Sequence, residues 1–283
     1  MTTADVVVVT GRTPVRAERE SADLQAALAQ RGVSTTIAGW GTADSIDARL
    51  VVIRSTWDYT TQIEEFLAWT RETAARTRLV NPARVVGWNS HKSYLLDLAR
   101  AGVPVVDTAL VPRDASAPVR VEVLGRHDGE VVIKPAVSVG AIGALRSRAT
   151  SEQAQAHLEA LSVQGDVLVQ PFEPEIAAGE TSLVFFGAAF SHAVRKTPAA
   201  GDYRVQSIHG GAVERVEPSA AQDAVAKAAL AAVGDDLAYA RVDLVETTSG
   251  PAVMELELIE PELFLRVDED APGRLADHLT SLL

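Results

Sequence analysis

Hydrophobic positions along this chain follow two rhythms. Residues 6–9 form a β-branched run, Leu24, Ala27 and Leu28 follow at helical spacing, and Gly32 is placed to end that helix before an extended segment at 33–38. Residues 50–53 give a third apolar strand, and Ile63, Phe66 and Leu67 mark the helix after it. Such alternation predicts a parallel sheet whose ligands gather beyond the carboxyl ends of its strands. Residues 79–82 read as another strand end, and 90–101 as a helix with Tyr94, Leu95 and Leu98 on its apolar side. A strand at 130–134, a small-residue loop at 135–143 and a strand at 144–149 then predict a hairpin with a long tip. Thr150 and Gln153 fit a capping box for a helix through Leu161, before a strand at 167–170. Proline cannot continue the centre of a sheet, so Pro171 to Pro174 read as a hinge. Strands at 181–186 and 188–196 follow, then a helix opened by a Ser219 and Gln222 capping box and running to Val233, and a last helix at 271–283.

The segment between those last two helices carries the strongest chemical signal. Residues 239–246 and 252–259 both alternate, and a five-residue turn at 247–251 would pair Asp243 with Glu255 and Arg241 with Glu257. Carboxylates about 4 Å apart repel by roughly 4 kcal/mol at an effective dielectric of about 20, so the pair needs a cation or a shared proton. Hard oxygen ligands suit Mg²⁺. A solvated acidic face on an edge hairpin is the competing reading of the same residues.

Upstream, Arg54, Ser55, Thr56, Trp57, Asp58 and Tyr59 lie at a parallel-strand end and offer a guanidinium, hydroxyls, a carboxylate and aromatics, a set able to fix a small polar substrate. The bland alternative is an Arg54 to Asp58 surface pair with Trp57 in the core. Lys92, near the first turn of its expected helix, opposes the helix dipole unless an anion is near. Lys134 ends a strand before a loop in which Gly140 and Gly143 permit close backbone approach to phosphate oxygens; a flexible structural hairpin fits the same pattern. This loop has neither the Walker A nor the GxGxxG spacing. Arg195, Lys196 and Arg204 form a cationic patch in an acidic chain. His91, His192 and His209 lack zinc-site spacing, and no GxSxG elbow is present.

Composition narrows the field. At 283 residues the chain is long for one core, so two or three subdomains are expected. A net charge of −12 argues against a nucleic-acid partner. The absence of cysteine excludes disulfides and thiolate chemistry. No apolar run approaches the roughly 20 residues of a membrane helix, and no signal peptide is recognisable, so no membrane partner and a cytoplasmic location are expected. A homodimer is compatible with these features.

The order of motifs resembles the ATP-grasp carboxylate–amine ligases, the glutathione synthetase and RimK-like enzymes, over nearly the whole chain. More narrowly, WNSHKSYLLDL (88–98), VIKPAVSVGA (132–141), GETSLVFF (179–186), FSHAVRKTP (190–198), GDYRVQS (201–207), YARVDLV (239–245) and MELELIEPELFL (254–265) resemble the O-ureido-serine cyclo-ligases of D-cycloserine biosynthesis. The resemblance implies an α/β (α+β) ATP-grasp fold: a Rossmann-like pre-ATP-grasp domain at 1–88, a lid subdomain at 89–170 and an antiparallel-sheet subdomain at 171–283. It implies ATP phosphates at Lys92 and Lys134 under a loop that includes Ser138 and Gly140. Gln170, Pro171, Phe172 and Glu173 would form an adenine hinge, and Glu180 would bind the ribose. Lys196 and Arg204 would face the transferred phosphate and the substrate carboxylate, and Asp243, Glu255 and Glu257 would hold Mg²⁺, two ions in such enzymes. Glu257 departs from the glutathione synthetase pattern, in which the last ligand is Asn. The implied reaction phosphorylates the carboxylate of a small amino-acid-like substrate for attack by an amine-type nitrogen, within the same molecule in a cyclo-ligase. The alternatives are an intermolecular amino-acid or peptide ligase and a non-catalytic ATP-binding module.

Overall fold

The computed structural model describes residues 4–12 and 19–283. Strands β1 (Ala4–Thr10), β2 (Thr35–Gly39), β3 (Ala48–Ile53) and β4 (Arg78–Val80) form a parallel sheet in the order β2-β1-β3-β4. The unbroken valine run of β1 is buried on both faces, as central parallel strands are. Val6 and Val8 pack with Leu24 and Leu28 of helix α1 (Arg19–Ala29), while Val7 and Val9 pack with Phe66 and Trp69 of α2 (Ile63–Arg76).

The helix expected at 90–101 is present but starts four residues later, and a short helix precedes it. Pro82, free of any need for an amide donor at a helix start, precedes α3 (Ala83–Asn89), and α4 (Tyr94–Arg100) begins afresh. Lys92 therefore lies in the connection rather than in a helix, with its backbone N–H donating to Ala136 O at 2.8 Å.

The second sheet is antiparallel, built from β5 (Ala109–Val111), β6 (Glu130–Pro135), β7 (Leu145–Arg148) and β8 (Val167–Pro171) in the order β5-β8-β6-β7. Helices α5 (Ala117–Leu124) and α6 (Glu152–Gln164) cover it. The capping residue of α6 is Ser151, whose hydroxyl accepts from Ala154 N at 3.0 Å, so the expected Thr150 and Gln153 box is displaced by one residue. Pro171 still faces Val131 of β6, where the sheet no longer needs its amide.

The third sheet, order β11-β10-β9-β12-β13, contains β9 (Glu180–Phe186), β10 (Ala189–Thr197), β11 (Ala212–Val216), β12 (Tyr239–Thr247) and β13 (Gly250–Glu257). Helix α7 (Ala220–Val233) opens on the reciprocal capping box of Ser219 and Gln222. The closing helix α8 (Ala271–Ser281) returns to α1 and shares its core, with Arg31 bound to Asp277.

The β12–β13 hairpin corrects the expected turn and keeps its consequence. Thr247 pairs with Gly250 around a two-residue turn, and Leu244 pairs with Val253. That register would put Asp243 and Glu255 on opposite faces. One extra residue, Met254, bulges from β13, and beyond it Asp243 faces Glu255 and Arg241 faces Glu257.

Side chains from α3, α4 and the end of β4 occupy the free edge of β13. Tyr94 OH accepts from Leu256 N at 3.0 Å, Asn89 bonds Leu256 O at 2.8 Å and Leu258 N at 2.9 Å, and Asn81 donates to Leu258 O at 2.8 Å. Asn81 also donates to Tyr239 O at 2.9 Å and accepts from Ala238 N at 2.6 Å. It is fully buried and joins the first sheet to the third. Asn81→Ala would orphan three buried backbone groups, at about 1 kcal/mol each. Urea unfolding of that variant is expected to show a loss of about 3 kcal/mol.

Candidate active site

The buried centre is built on β12. Asp243, 1% exposed, receives both Nε and Nη2 of Arg241 at 2.9 Å, Lys196 Nζ at 3.0 Å and Ser182 Oγ at 2.6 Å. Burial alone would raise its carboxyl, but the guanidinium and the ammonium outweigh that and hold it well below the usual range. Arg241 also binds Glu257, Lys196 binds Glu180, and Lys92 binds Glu255. One oxygen each from Asp243, Glu255 and Glu257 lies within 4.8 Å of the others. This all-oxygen donor set fits a hard divalent cation. Glu257 is raised to about 7 by its burial, with Glu255 and Asp243 adding to the effect and Arg241 opposing it. A solvated acidic face is thus excluded for Asp243, which is sealed inside the sheet.

Lys92, Lys134, Ser138, Gly140, Gln170, Pro171, Phe172, Glu173 and Glu180, the residues tied by resemblance to the nucleotide, all line one cleft between the second and third sheets. Met254, delivered by the bulge beside Glu255, lines it too. Lys134 has no ion pair among the described residues, and burial lowers its ammonium pKa, with Glu255 opposing and Lys92 assisting. Gln170 is buried and donates to Thr108 Oγ1 at 2.9 Å. The glycine loop turns through positive φ at Gly140, Ala141 and Gly143, and His157 and His209 reach its carbonyls at Gly143 and Gly140.

Beside the cleft lies a cavity of about 450 Å³ reached from the parallel sheet. Arg54, Ser55, Trp57 and Tyr59 line it, together with Lys196, Arg241, Glu255 and Glu257. Arg54 is 2% exposed, pairs with buried Glu20 at 3.0 Å and donates to Pro261 O at 2.8 Å. Among the described residues its Nε and Nη1 have no hydrogen-bond partner, nor do the hydroxyls of Ser55 and Thr56. Two expected residues are placed elsewhere. Thr56 is buried outside the cavity lining, and Asp58 accepts from Trp40 Nε1 at 2.9 Å and Arg12 N at 2.8 Å, holding the loop rather than a ligand. The expected Arg54 to Asp58 alternative also fails, because Glu20 takes the guanidinium. Arg204 is turned to Asp202, 2.8 Å from Nη2, and lines the nucleotide cleft but not the substrate cavity.

Arg241, not Arg204, brings a guanidinium to that cavity from the third sheet, beside that of Arg54. Its signal was present in the sequence, since it shares a strand face with Asp243 and stands opposite Glu257. Glu20 left no comparable signal, because the helix that carries it lies 34 positions from Arg54.

Three antiparallel and parallel sheets around a buried acid–base centre, with a nucleotide-sized cleft under a glycine loop, define an ATP-grasp enzyme. Residues 104–269 match the family described as the prokaryotic glutathione synthetase ATP-grasp domain, and residues 6–81 match the N-terminal domain of D-cycloserine synthetase DcsG. The chain belongs to the ATP-grasp superfamily and is an ATP-dependent carbon–nitrogen ligase. It is 36% identical over 270 residues to the cycloserine biosynthesis protein DcsG of Streptomyces lavendulae, covering 89% of this chain and 90% of that protein. The crystal structure of D-cycloserine synthetase DcsG superposes with a TM-score of 0.87 at 31% identity, covering 98% and 99% of the two chains. A RimK-domain ATP-grasp protein of Sphaerobacter thermophilus shares the fold, with a TM-score of 0.73 at 20% identity and coverage of 97% and 99%. ATP and Mg²⁺ are the cofactors of the family, and its ligases act on small molecules. No helix among the described residues is long and apolar enough to cross a membrane.

The two central lysines are expected to differ in what they do for folding. Lys196→Met strips Glu180 of its cation and Asp243 of one of two, so unfolding in urea is expected to show a loss of about 3 kcal/mol. Lys134→Met breaks no ion pair and is expected to stay within about 1 kcal/mol of the wild type.

Proposed function

We propose that this protein is a cyclo-ligase that activates the carboxylate of an O-ureidoserine-like amino acid and closes it onto its own nitrogen. One observation carries the reading. The segment matching the D-cycloserine synthetase N-terminal domain, residues 6–81, supplies Arg54, Ser55, Trp57 and Tyr59 to the substrate cavity, so the likeness extends to the part that meets the substrate.

In this reading the substrate carboxylate takes the γ-phosphoryl group of ATP, releasing ADP. The nitrogen bound to the side-chain oxygen then attacks the acyl carbon, phosphate leaves, and an isoxazolidinone ring forms. Water removes the carbamoyl group as carbon dioxide and ammonia. Asp243, Glu255 and Glu257 are the residues that would hold Mg²⁺, two ions in this proposal. The metal, when bound, neutralises phosphate charge as it is transferred.

The chain's own residues do the rest. Lys92 and Lys134 receive phosphate oxygens beneath the Ser138 and Gly140 loop, and residues from Gln170 to Glu173 face the adenine. Glu180, placed for the ribose, also holds Lys196 beside Asp243. Arg204 serves the nucleotide rim once it leaves Asp202, while Arg241 supplies the guanidinium on the substrate side. The open Nε and Nη1 of Arg54 offer a charged donor pair to the substrate's polar end. No protein nucleophile is required. Alignment and exclusion of water from the acyl phosphate supply the rate. The cytoplasm, which holds ATP and Mg²⁺, is the natural compartment.

Incubation with ATP, Mg²⁺ and O-ureidoserine is expected to yield the cyclised product by mass spectrometry. ADP and phosphate without it, or a ligated dimer in its place, would overturn the cyclo-ligase reading. Arg54→Ala is expected to raise KM for O-ureidoserine about 10- to 100-fold, as loss of a charged hydrogen bond does, with KM for ATP little changed. Lys134→Ala is expected to show the reverse pattern.

A further inference from the structure

The chain after β13 bends at residues 259–260 and pairs with no strand among the described residues, yet its carbonyls from Leu258 to Glu262 are each held by a side chain. Asn81 donates to Leu258 O at 2.8 Å, Tyr239 OH to Ile259 O at 2.8 Å, and Trp57 Nε1 to Glu260 O at 3.3 Å. Arg54 donates to Pro261 O at 2.8 Å and Arg241 to Glu262 O at 2.9 Å. The backbone is fixed from both sides of the substrate cavity, and it projects one side chain without a counter-ion.

That side chain is Glu260, 8% exposed and lining the cavity. The other acids of the lining are matched: Glu20 by Arg54, Glu255 by Lys92, Glu257 by Arg241 and Glu262 by Arg266. Glu260 has no ion pair and no hydrogen bond to another residue's side chain among the described residues. Burial, with nearby Glu257 adding to it and Lys92 opposing it, raises its carboxyl to about 8. A buried carboxylate left unpaired is costly, and a ligand cation placed beside it recovers that cost. The Tyr59 ring lines the same end of the cavity, stacked on Phe66 at 4.7 Å, and Trp57 closes it with 48% of its surface exposed.

The geometry points to Glu260 as the seat of the substrate's α-ammonium group, with Trp57 and Tyr59 as its walls. This rests on the ligase reading above and deepens it. An α-amino acid carries its ammonium one carbon from the carboxylate to be phosphorylated, and Glu260 follows the last expected metal ligand, Glu257, by three residues in the same cavity. The site therefore reads both ends of the amino-acid head: the carboxylate at the Arg241 and Lys92 side, the ammonium at Glu260. Arg54, held through Nη2 by Glu20 and Pro261 O, keeps Nε and Nη1 for the uncharged ureido end. A carboxylate substrate without the amino group would fill the same space and leave Glu260 unpaired.

The test compares O-ureidoserine with its deamino analogue, 3-(ureidooxy)propanoate. Their binding to the full chain is measured by calorimetry with Mg²⁺ and a non-hydrolysable ATP analogue. The wild type is expected to prefer the amino compound by about 10- to 100-fold, the range of a charged hydrogen bond. Glu260→Gln, checked for folding by thermal unfolding and for intact ATP-analogue binding, is expected to lose at least about tenfold of that preference, and Glu260→Asp to retain most of it. Equal affinity of the wild type for the two compounds overturns the inference, as does an unchanged preference in Glu260→Gln. Either result leaves the cyclo-ligase reading standing if O-ureidoserine is still cyclised. A wild type that binds neither compound overturns both. Should Glu260→Gln fail to fold, the wild-type preference and the Glu260→Asp result decide alone.

Discussion

Everything in this structure is arranged around carboxylates that cannot be buried alone. Asp243 lies in the middle of a sheet at 1% exposure, and its charge survives only because Arg241, two residues earlier on the same strand, and Lys196, from β10 beyond β9, both meet it. The same rule extends outward: Lys196 also satisfies Glu180, Arg241 also satisfies Glu257, and Lys92 answers Glu255 from the α3–α4 connection. Strands β9, β10, β12 and β13 and the α3–α4 connection must all arrive for the balance to close. The catalytic centre is thereby a folding constraint as well as a chemical one.

Two groups stand outside that balance, and they lie on opposite sides of it. Among the described residues Lys134 has no ion pair in the cleft under the glycine loop, and Glu260 has none in the larger cavity beside it. A polyphosphate and an ammonium-bearing acid are the ligands whose charges complete the pattern. Of the expected metal ligands, which lie within 4.8 Å of one another, Glu255 lines both the cleft and the cavity.

The hairpin shows how a local expectation and a tertiary outcome agree for different physical reasons. Alternation of polar and apolar residues along β12 and β13 correctly puts Arg241 and Asp243 on one face opposite Glu257 and Glu255. The tight two-residue turn at Thr247 and Gly250 would break that pairing, and Met254 restores it by bulging. Bulges follow from how a strand must twist to meet its neighbours. Here the neighbours are residues 104–106, whose backbone bridges Val253, and Asn89 and Tyr94, which hold Leu256 beyond the bulge. Periodicity alone carries no trace of that edge. The helix expected at 90–101 starts late, at Tyr94, for a related reason: the connection around Lys92 bends to reach Ala136 and Glu255, contacts remote in sequence.

The sequence by itself determined the alternating strands and helices of the first sheet, the lysine-and-glycine hairpin, the capping box of α7, and the acids of the last hairpin, because each is written in local spacing. Its ordered motifs sufficed for the superfamily. Only the tertiary structure decided which charges meet. Arg54 turned to Glu20 rather than Asp58, Arg204 to Asp202 rather than the substrate cavity, and Arg241 to the centre. For Arg54 the choice follows from burial: a guanidinium removed from water takes whichever carboxylate the packing brings to it, here one 34 positions away, whereas Arg204 and Arg241 meet acids two positions along their own backbone.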